Sequence, residues 1–393
     1  MAAAPTLRRN VLATLRAQVR QTARRSPSRD WTPRVPVRNT ALLMPTASPN
    51  PTPTAGHAAR TRSGLRRACE RALVCASLAL GTFAAHAGGT TEANVDTKAT
   101  RCPPAAQLPT RAQLESGLRN ARDRGFLWRL ERDGQQGWLF GTLHVARMAW
   151  SFPGPQLGAA LRNADVIALE LDLLDPAVQR ELSAPATASG AQPDLPQTLA
   201  RRLQRQIEVA CVPESTLSAL PPTLQVAALT ALAGRDDGLD PAYAIDVTLA
   251  SFGHSAGKRV VSLETVAAQM AALGGGNPGD ALRFVEQSLG DLESGRARPQ
   301  VRRIADVWAR GDLQELERYE QWCECVGNDQ DRALMRRLLD ERNRAMLPRI
   351  EALLREGRVL VAVGSLHLIG PAGLPALLST RGWNVQRVLI DTR

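Results

Sequence analysis

Apolar and polar positions follow two different periods along the C-terminal two thirds of the chain. Residues 125–132 (Gly-Phe-Leu-Trp-Arg-Leu-Glu-Arg) alternate with the two-residue period of a strand. Asp133-Gly134 then signals a turn, and Gly137-Trp138-Leu139-Phe140 returns, so a β-hairpin is predicted. Residues 165–172 and 358–363 are apolar almost throughout, as in strands covered on both faces, and residues 257–264 and 384–389 predict two more strands. Between them the spacing turns helical. Short helices are predicted over 155–163 and 373–381, one opening at Asp175-Pro176, a succession over 191–319 and a long amphipathic helix over 329–356. Breaks fall at Pro221-Pro222, at 234–241 and at 274–278, where Gly and Pro cluster. Strands alternating with helices predict an α/β fold, a central mixed sheet with flanking helices and a helical insertion.

The first 87 residues read differently. Residues 1–59 are rich in Arg, Pro, Thr and Ala without apolar periodicity, which predicts a disordered basic extension. An Arg-rich stretch at 60–71 precedes an apolar run over 72–84 and then Ala85-His86-Ala87, a small-x-small site. This is the pattern of a secretory signal peptide cleaved after Ala87, with translation starting downstream of Met1, at Met44 or near Arg60. A spanning helix needs about 20 apolar residues, so a retained membrane anchor is the alternative. The expected organisation is a leader over 1–87, a linker over 88–115 and one domain over 116–393. The mature protein is then expected in the periplasm or secreted, with possible envelope association.

Charge supports this division. The net charge of +11 suggests a nucleic-acid binder until it is divided along the chain. Residues 1–87 hold 14 Lys+Arg against Asp30 and Glu70, and the remainder holds 35 basic and 36 acidic residues. The folded part is near neutral and lacks the basic footprint that nucleic acid requires. Cys102, Cys211, Cys323 and Cys325 remain after cleavage. In an exported protein they predict disulfides, with free thiols or a metal site as alternatives. Two cysteines so close as Cys323 and Cys325 are not expected to bond each other, so their partners are sought at Cys102 and Cys211.

The candidate chemistry lies in the histidines. Only His144, His254 and His367 remain beyond the leader, and two of these end the same pattern, Gly-Thr-Leu-His and Gly-Ser-Leu-His, at 141–144 and 364–367. Each copy follows a predicted buried strand, and open α/β sheets bind ligands beyond the carboxyl ends of their strands. Glycine allows a sharp exit from the strand, and imidazole is the commonest protein metal ligand. Two imidazoles and a carboxylate leave room for water, as hydrolytic metal sites require. Glu170 and Glu264 end strands, Asp172 follows two residues after Glu170, and Arg342-Asn343 lies in the long helix. For each of these residues a hydrogen-bonded or ion-paired structural role is the alternative.

These residues also resemble a known family. Leu127-Trp128, residues 139–144, Ala164-Asp165 and residues 169–172 are similar to the opening of TraB/GumN proteins. Gly257-Lys258, Leu263-Glu264-Thr265 and Gln269 resemble the central block of that family. Glu341-Arg342-Asn343 with Met346 resembles its late helix, and residues 363–367 with Gly370-Pro371 and Gly373-Leu374 resemble its final block. The similarity covers residues 118–393. It implies kinship with TIKI-type metalloproteases and TraB/PrgY pheromone-shutdown proteins. The fold it implies is akin to erythromycin esterase and the haem-uptake ChaN-like proteins, with two pseudo-repeated strand–Gly-x-x-His units. It further implies that His144, His367 and Glu170 hold a metal, with Arg342 and Asn343 near the pocket. Ala244-Ile245-Asp246 departs from the family pattern, which has Gly in place of Ala244, and this puts a role for Asp246 in question.

The expected function is an exported metal-dependent hydrolase, peptidase-like, acting on a peptide or small-molecule substrate. A divalent ion of the zinc, manganese or cobalt class would sit on His144, His367 and Glu170. Glu170, Glu264, Arg342 and Asn343 would be the catalytic group, with Arg342 holding a substrate carboxylate or oxyanion through its planar fork. The chain has no HExxH or P-loop pattern. A non-catalytic envelope protein binding a peptide or other ligand in the same cleft, or a haem- or metal-binding module, is the alternative.

Overall fold

The computed structural model describes residues 102–182, 195–218, 220–274 and 278–390. The extension and signal peptide expected over 1–87, and the linker as far as residue 101, lie outside the described residues.

Six strands form one sheet: β1 (Leu127–Arg132), β2 (Gln135–Thr142), β3 (Val166–Leu169), β4 (Arg259–Ser262), β5 (Val359–Gly364) and β6 (Asn384–Val388), in the order β4-β3-β5-β2-β1-β6. β2, β5, β3 and β4 run parallel, while β1 is antiparallel to β2 and to β6. The sheet is mixed, as the alternation of strand and helix predicts. The β1–β2 hairpin closes with Arg132 opposite Gln135. Its two turn residues, Asp133 (φ 49°) and Gly134 (φ 79°), are both left-handed, the backbone that matches the twist of paired strands. Every residue of β3, and all of β5 but its final glycine, is buried, because helices cover both faces of the parallel portion.

The helices that matter here are α1 (Arg111–Arg119), α2 (Pro155–Asn163), α3 (Gln197–Val209), α4 (Pro222–Leu232), α5 (Ile245–Ser255), α6 (Val266–Gly274), α7 (Pro278–Glu293), α8 (Ala297–Arg310), α9 (Arg342–Glu356) and α10 (Leu374–Thr380). α1 starts inside the stretch expected as linker, where Thr110 and Gln113 form a reciprocal capping box. The long helix expected over 329–356 is two α-helices, Asp329–Met335 and α9, joined by a π-helical turn, Arg336–Glu341. That turn ends immediately before Arg342. π-turns shift the register of the residues after them and recur at functional sites.

The main core joins the sheet to α2, α5, α8, α9 and α10 through side chains such as Ile167, Leu169, Leu249, Trp308, Ile350 and Val361. The helical insertion has its own core, in which Leu199, Leu203 and Ile207 of α3 recur every four residues against Val226 and Leu229 of α4 and Val285 and Leu289 of α7.

The disulfides are Cys102–Cys211 and Cys323–Cys325, so the expectation that Cys323 and Cys325 do not bond each other is wrong. The intervening Glu324 adopts φ 54°. This left-handed residue turns the chain back and leaves the two Cα atoms 5.0 Å apart.

Candidate functional site

The carboxyl ends of all four parallel strands meet at one place. Thr142 of β2 lies opposite Gly364 of β5, and Leu169 of β3 lies opposite both Ala362 of β5 and Ser262 of β4. His144, Glu170, Glu264 and His367 therefore leave neighbouring strands at nearly the same level. The two Gly-x-x-His segments are also tied directly, since Ser365 Oγ donates to the Thr142 carbonyl at 2.9 Å.

Space, not backbone freedom, demands the two glycines. Gly364 has an ordinary φ of −51°. A Cβ on Gly141 would come within 2.7 Å of Ser365 Oγ and 2.8 Å of Leu368 Cδ1. A Cβ on Gly364 would lie 3.2 Å from Glu170 Oε1, 3.6 Å from His367 Cδ2 and 4.0 Å from His144 Nε2. Both histidines and the glutamate thus surround one small space above the end of β5.

Each imidazole is oriented through its Nδ1. His367 is buried, and its Nδ1 lies 2.8 Å from Asn343 Oδ1. The Asn343 amide donates Nδ2 to the carbonyls of His367 (3.2 Å) and Ala372 (2.9 Å). Two carbonyl acceptors fix the amide nitrogen, so the facing Oδ1 must accept and His367 Nδ1 must carry the proton. Burial lowers the pKa of His367, which keeps the ring neutral. Its Nε2 lone pair then faces Glu170 Oε1 at 3.7 Å.

His144 is exposed and its Nδ1 lies 2.8 Å from Asp246 Oδ2. The Asp246 carboxylate raises the imidazole to a pKa of about 9, against the opposing effect of desolvation. Asp246 sits in the first turn of α5, whose first N–H, on Ile245, donates to the Leu143 carbonyl at 2.9 Å. Ala244 takes φ −49° and ψ 135°, an extended conformation open to any L-residue. The departure from glycine at this position therefore does not disturb Asp246.

Glu170 is held ionised. Burial opposes its charge, but with His367 neutral the Arg342 guanidinium, the His144 imidazolium and the Gly364 N–H still hold it below the usual carboxylate range. The Gly364 N–H donates to Oε1 at 2.6 Å, while Arg342 Nη2 (2.5 Å) and Gln269 Nε2 (3.3 Å) reach Oε2. The same arginine grips Glu264 through Nε (3.0 Å to Oε1) and Nη2 (2.6 Å to Oε2), and Gln269 bridges the two glutamates at 3.2 Å from Glu264 Oε2. Arg342 Nη1 donates to the Leu338 carbonyl in the π-turn at 3.0 Å.

Six expected site residues are thus in one network, but not all with the expected reach. Arg342 donates to two carboxylates and a carbonyl, so its contacts are with the protein and not with an open cleft. Asn343 is buried against His367. Glu264 faces Arg342 with a side chain only 4% exposed. Asp172 turns away, with Oδ2 2.6 Å from His254 Nε2, because β3 ends at Leu169 and strand alternation no longer applies to it. His254 stays outside the cluster. Gln269 and Asp246 join the site. Gln269 stands one helical turn beyond Glu264-Thr265, within the central block that resembles the family, but its link to both glutamates is not visible in the sequence.

Among the described residues, no group of three or more His, Cys, Asp or Glu stands ready-made as a metal cage. The donor set still suits a divalent ion. Two imidazoles with their Nδ1 atoms oriented by a carboxylate and an amide, beside an ionised carboxylate, match the first and second shells of hydrolytic metal sites. His144, the exposed member, is the one free to move.

The His144–Asp246 pair has a measurable consequence. A histidine whose pKa rises on folding contributes stability below its unfolded value and loses that contribution as pH passes its folded value. Stability should therefore fall as pH rises from 6.5 towards 9. Thermal melts across that range check this, with Asp246→Asn expected to flatten the profile.

The comparisons with known proteins give one match. A model of the TraB/PrgY/gumN family matches residues 126–387, a span holding both Gly-x-x-His segments and the whole carboxylate–arginine network. Neither a curated protein nor a solved structure matches the chain.

Proposed function

We propose that this chain, which belongs to the TraB/PrgY/gumN family, is a metal-dependent hydrolase of the peptidase kind, with His144 Nε2, His367 Nε2 and Glu170 Oε1 as the ligands of a divalent ion of the zinc, manganese or cobalt class. The observation carrying this reading is the arrangement of the two rings. Each has its Nδ1 engaged, by Asp246 and by Asn343, and each presents Nε2 to the space around Gly364 beside Glu170 Oε1. A bound divalent ion would polarise a carbonyl and bring the pKa of a coordinated water to about 7.

The chain's own residues prepare that chemistry. Asn343 keeps the His367 proton on Nδ1, leaving Nε2 as a lone pair. Asp246 takes Nδ1–H of His144, so Nε2 is where His144 gains or loses its proton. Arg342, Gln269 and the Gly364 N–H hold Glu170 as a carboxylate. Glu264 neutralises the rest of the Arg342 charge and fixes the guanidinium. On this reading Arg342 and Asn343 act by positioning, and the substrate is met by the ion, by Glu170 and by exposed His144.

Two finer readings accompany this one. The two strand–Gly-x-x-His segments are paired units of an erythromycin-esterase- or ChaN-like fold, a reading supported by the adjacent, in-register ends of β2 and β5. The mature protein is exported and periplasmic or secreted. Two disulfides favour an oxidising compartment, and no helix among the described residues is long and apolar enough to cross a membrane.

Incubating the full chain with zinc, manganese or cobalt and a peptide library tests the reaction. Cleavage that stops with chelator and is lost in Glu170→Gln is expected. Metal binding without turnover would favour an envelope-binding protein, and visible haem absorbance would favour the haem-binding alternative.

A further inference from the structure

We propose that the Cys323–Cys325 disulfide is a thiol–disulfide exchange site for an external dithiol, opening at Cys325 Sγ while the fold around it stays intact. The closed ring encloses a single residue, Glu324, which takes φ 54° within it. A side chain other than glycine is disfavoured there. Reduction lets Glu324 relax to an ordinary backbone, so the local chain favours the open form.

The two sulfurs differ in access. Cys323 is 1% exposed and Cys325 is partly exposed, so an incoming thiolate reaches Cys325 first. The leaving sulfur is then Cys323, and the Cys325 N–H already points at Cys323 Sγ at 3.1 Å. A donor on the sulfur that becomes an anion stabilises it as it departs.

Both flanks are anchored independently of the S–S bond. The Cys323 carbonyl accepts from Gln300 Nε2 of α8 at 2.6 Å, and the Cys323 N–H donates to the Tyr319 carbonyl at 2.9 Å. Trp322 Nε1 donates to the Glu315 carbonyl at 2.9 Å, and the Arg303 guanidinium sits 4.4 Å above the Trp322 ring. On the other side the Gly327 N–H donates to Asp331 Oδ2 at 2.9 Å, and Asn328 caps the following helix. Opening the bond therefore leaves the chain held on both sides of residues 324–326. By contrast, Cys102–Cys211 ties together positions 109 residues apart.

The exchange balances as follows. One thiolate of the dithiol forms a bond to Cys325 Sγ as the Cys323–Cys325 bond breaks, and the Cys323 thiolate takes up a proton. The second thiolate of the dithiol then displaces Cys325, which is protonated in turn. Two electrons and two protons pass to the protein, which holds two thiols, and the partner leaves as a disulfide. A protein dithiol of the Cys-x-x-Cys kind has this chemistry, and the reverse reaction recloses the ring.

Equilibrating the oxidised full chain with graded ratios of reduced to oxidised dithiothreitol tests the site. Thiols are trapped with iodoacetamide and mapped by mass spectrometry, with circular dichroism monitoring the fold. Cys323 and Cys325 are expected to be alkylated as a pair at ratios at least roughly tenfold lower than Cys102 and Cys211, with the spectrum unchanged. Glu324→Gly, which removes the left-handed penalty, should require about fivefold more reductant to open the ring. Simultaneous reduction of both pairs, earlier reduction of Cys102–Cys211, or alkylation of Cys323 and Cys325 without reductant would overturn the proposal.

Discussion

Replacing Arg342 by methionine is expected to lower stability at neutral pH by about 3–5 kcal/mol, the penalty for stripping the partner from buried charges. One guanidinium nitrogen, Nη2, lies 2.5 Å from Glu170 and 2.6 Å from Glu264. Without the arginine, two carboxylates remain side by side in a site that is 10% and 4% exposed at those side chains. Acid should relieve this. Glu170 in the variant loses the guanidinium bonded to its Oε2, so its pKa should rise towards the ordinary carboxylate range, and the deficit should shrink as pH falls into that range. Urea unfolding of both proteins at neutral and acid pH measures it. Adding Glu264→Gln should recover part of the loss, because one of the two unpaired charges is gone. A deficit below about 1 kcal/mol, typical of exposed pairs, would mean that the network is solvated and does not organise the site.

The second large effect concerns metal affinity. His367→Ala removes a proposed ligand and is expected to weaken divalent-metal binding by more than about 100-fold, the upper range for losing a mere outer-shell partner. Asn343→Ala leaves the ring but frees its proton to move to Nε2, and should cost roughly 10–100-fold. His367 is buried and bonded to Asn343, so its removal also lowers thermal stability in chelator. His144 is exposed, so above pH 9, where its pairing with Asp246 no longer stabilises the fold, His144→Ala should lose metal without that structural penalty. The contrast separates ligation from packing at the two positions.

Much of this architecture was legible from local patterns. Buried apolar runs and one alternating hairpin identify β1, β2, β3 and β5, and strand ends followed by His144, Glu170, Glu264 and His367 mark one edge of a parallel sheet. What stayed hidden depends on side chains that meet across long sequence separations. Arg342 in a helix looks like a fork for substrate, and only the fold brings it to both glutamates. Asp246 gave no sign of its partner, because nothing in residues 244–246 encodes the distance to His144. The glycines of the two motifs suggest sharp turns, yet Gly141 is required by the approach of Ser365 and Leu368. The Cys323–Cys325 bond was missed for a related reason, since it depends on an unusual backbone angle at Glu324.

The most direct test of the site is a titration of zinc into the full chain beside its His144→Ala and His367→Ala variants, with bound metal counted by elemental analysis. The account predicts one ion per wild-type chain and none retained by either variant. No bound ion in the wild type, or an unchanged stoichiometry in both variants, would contradict it.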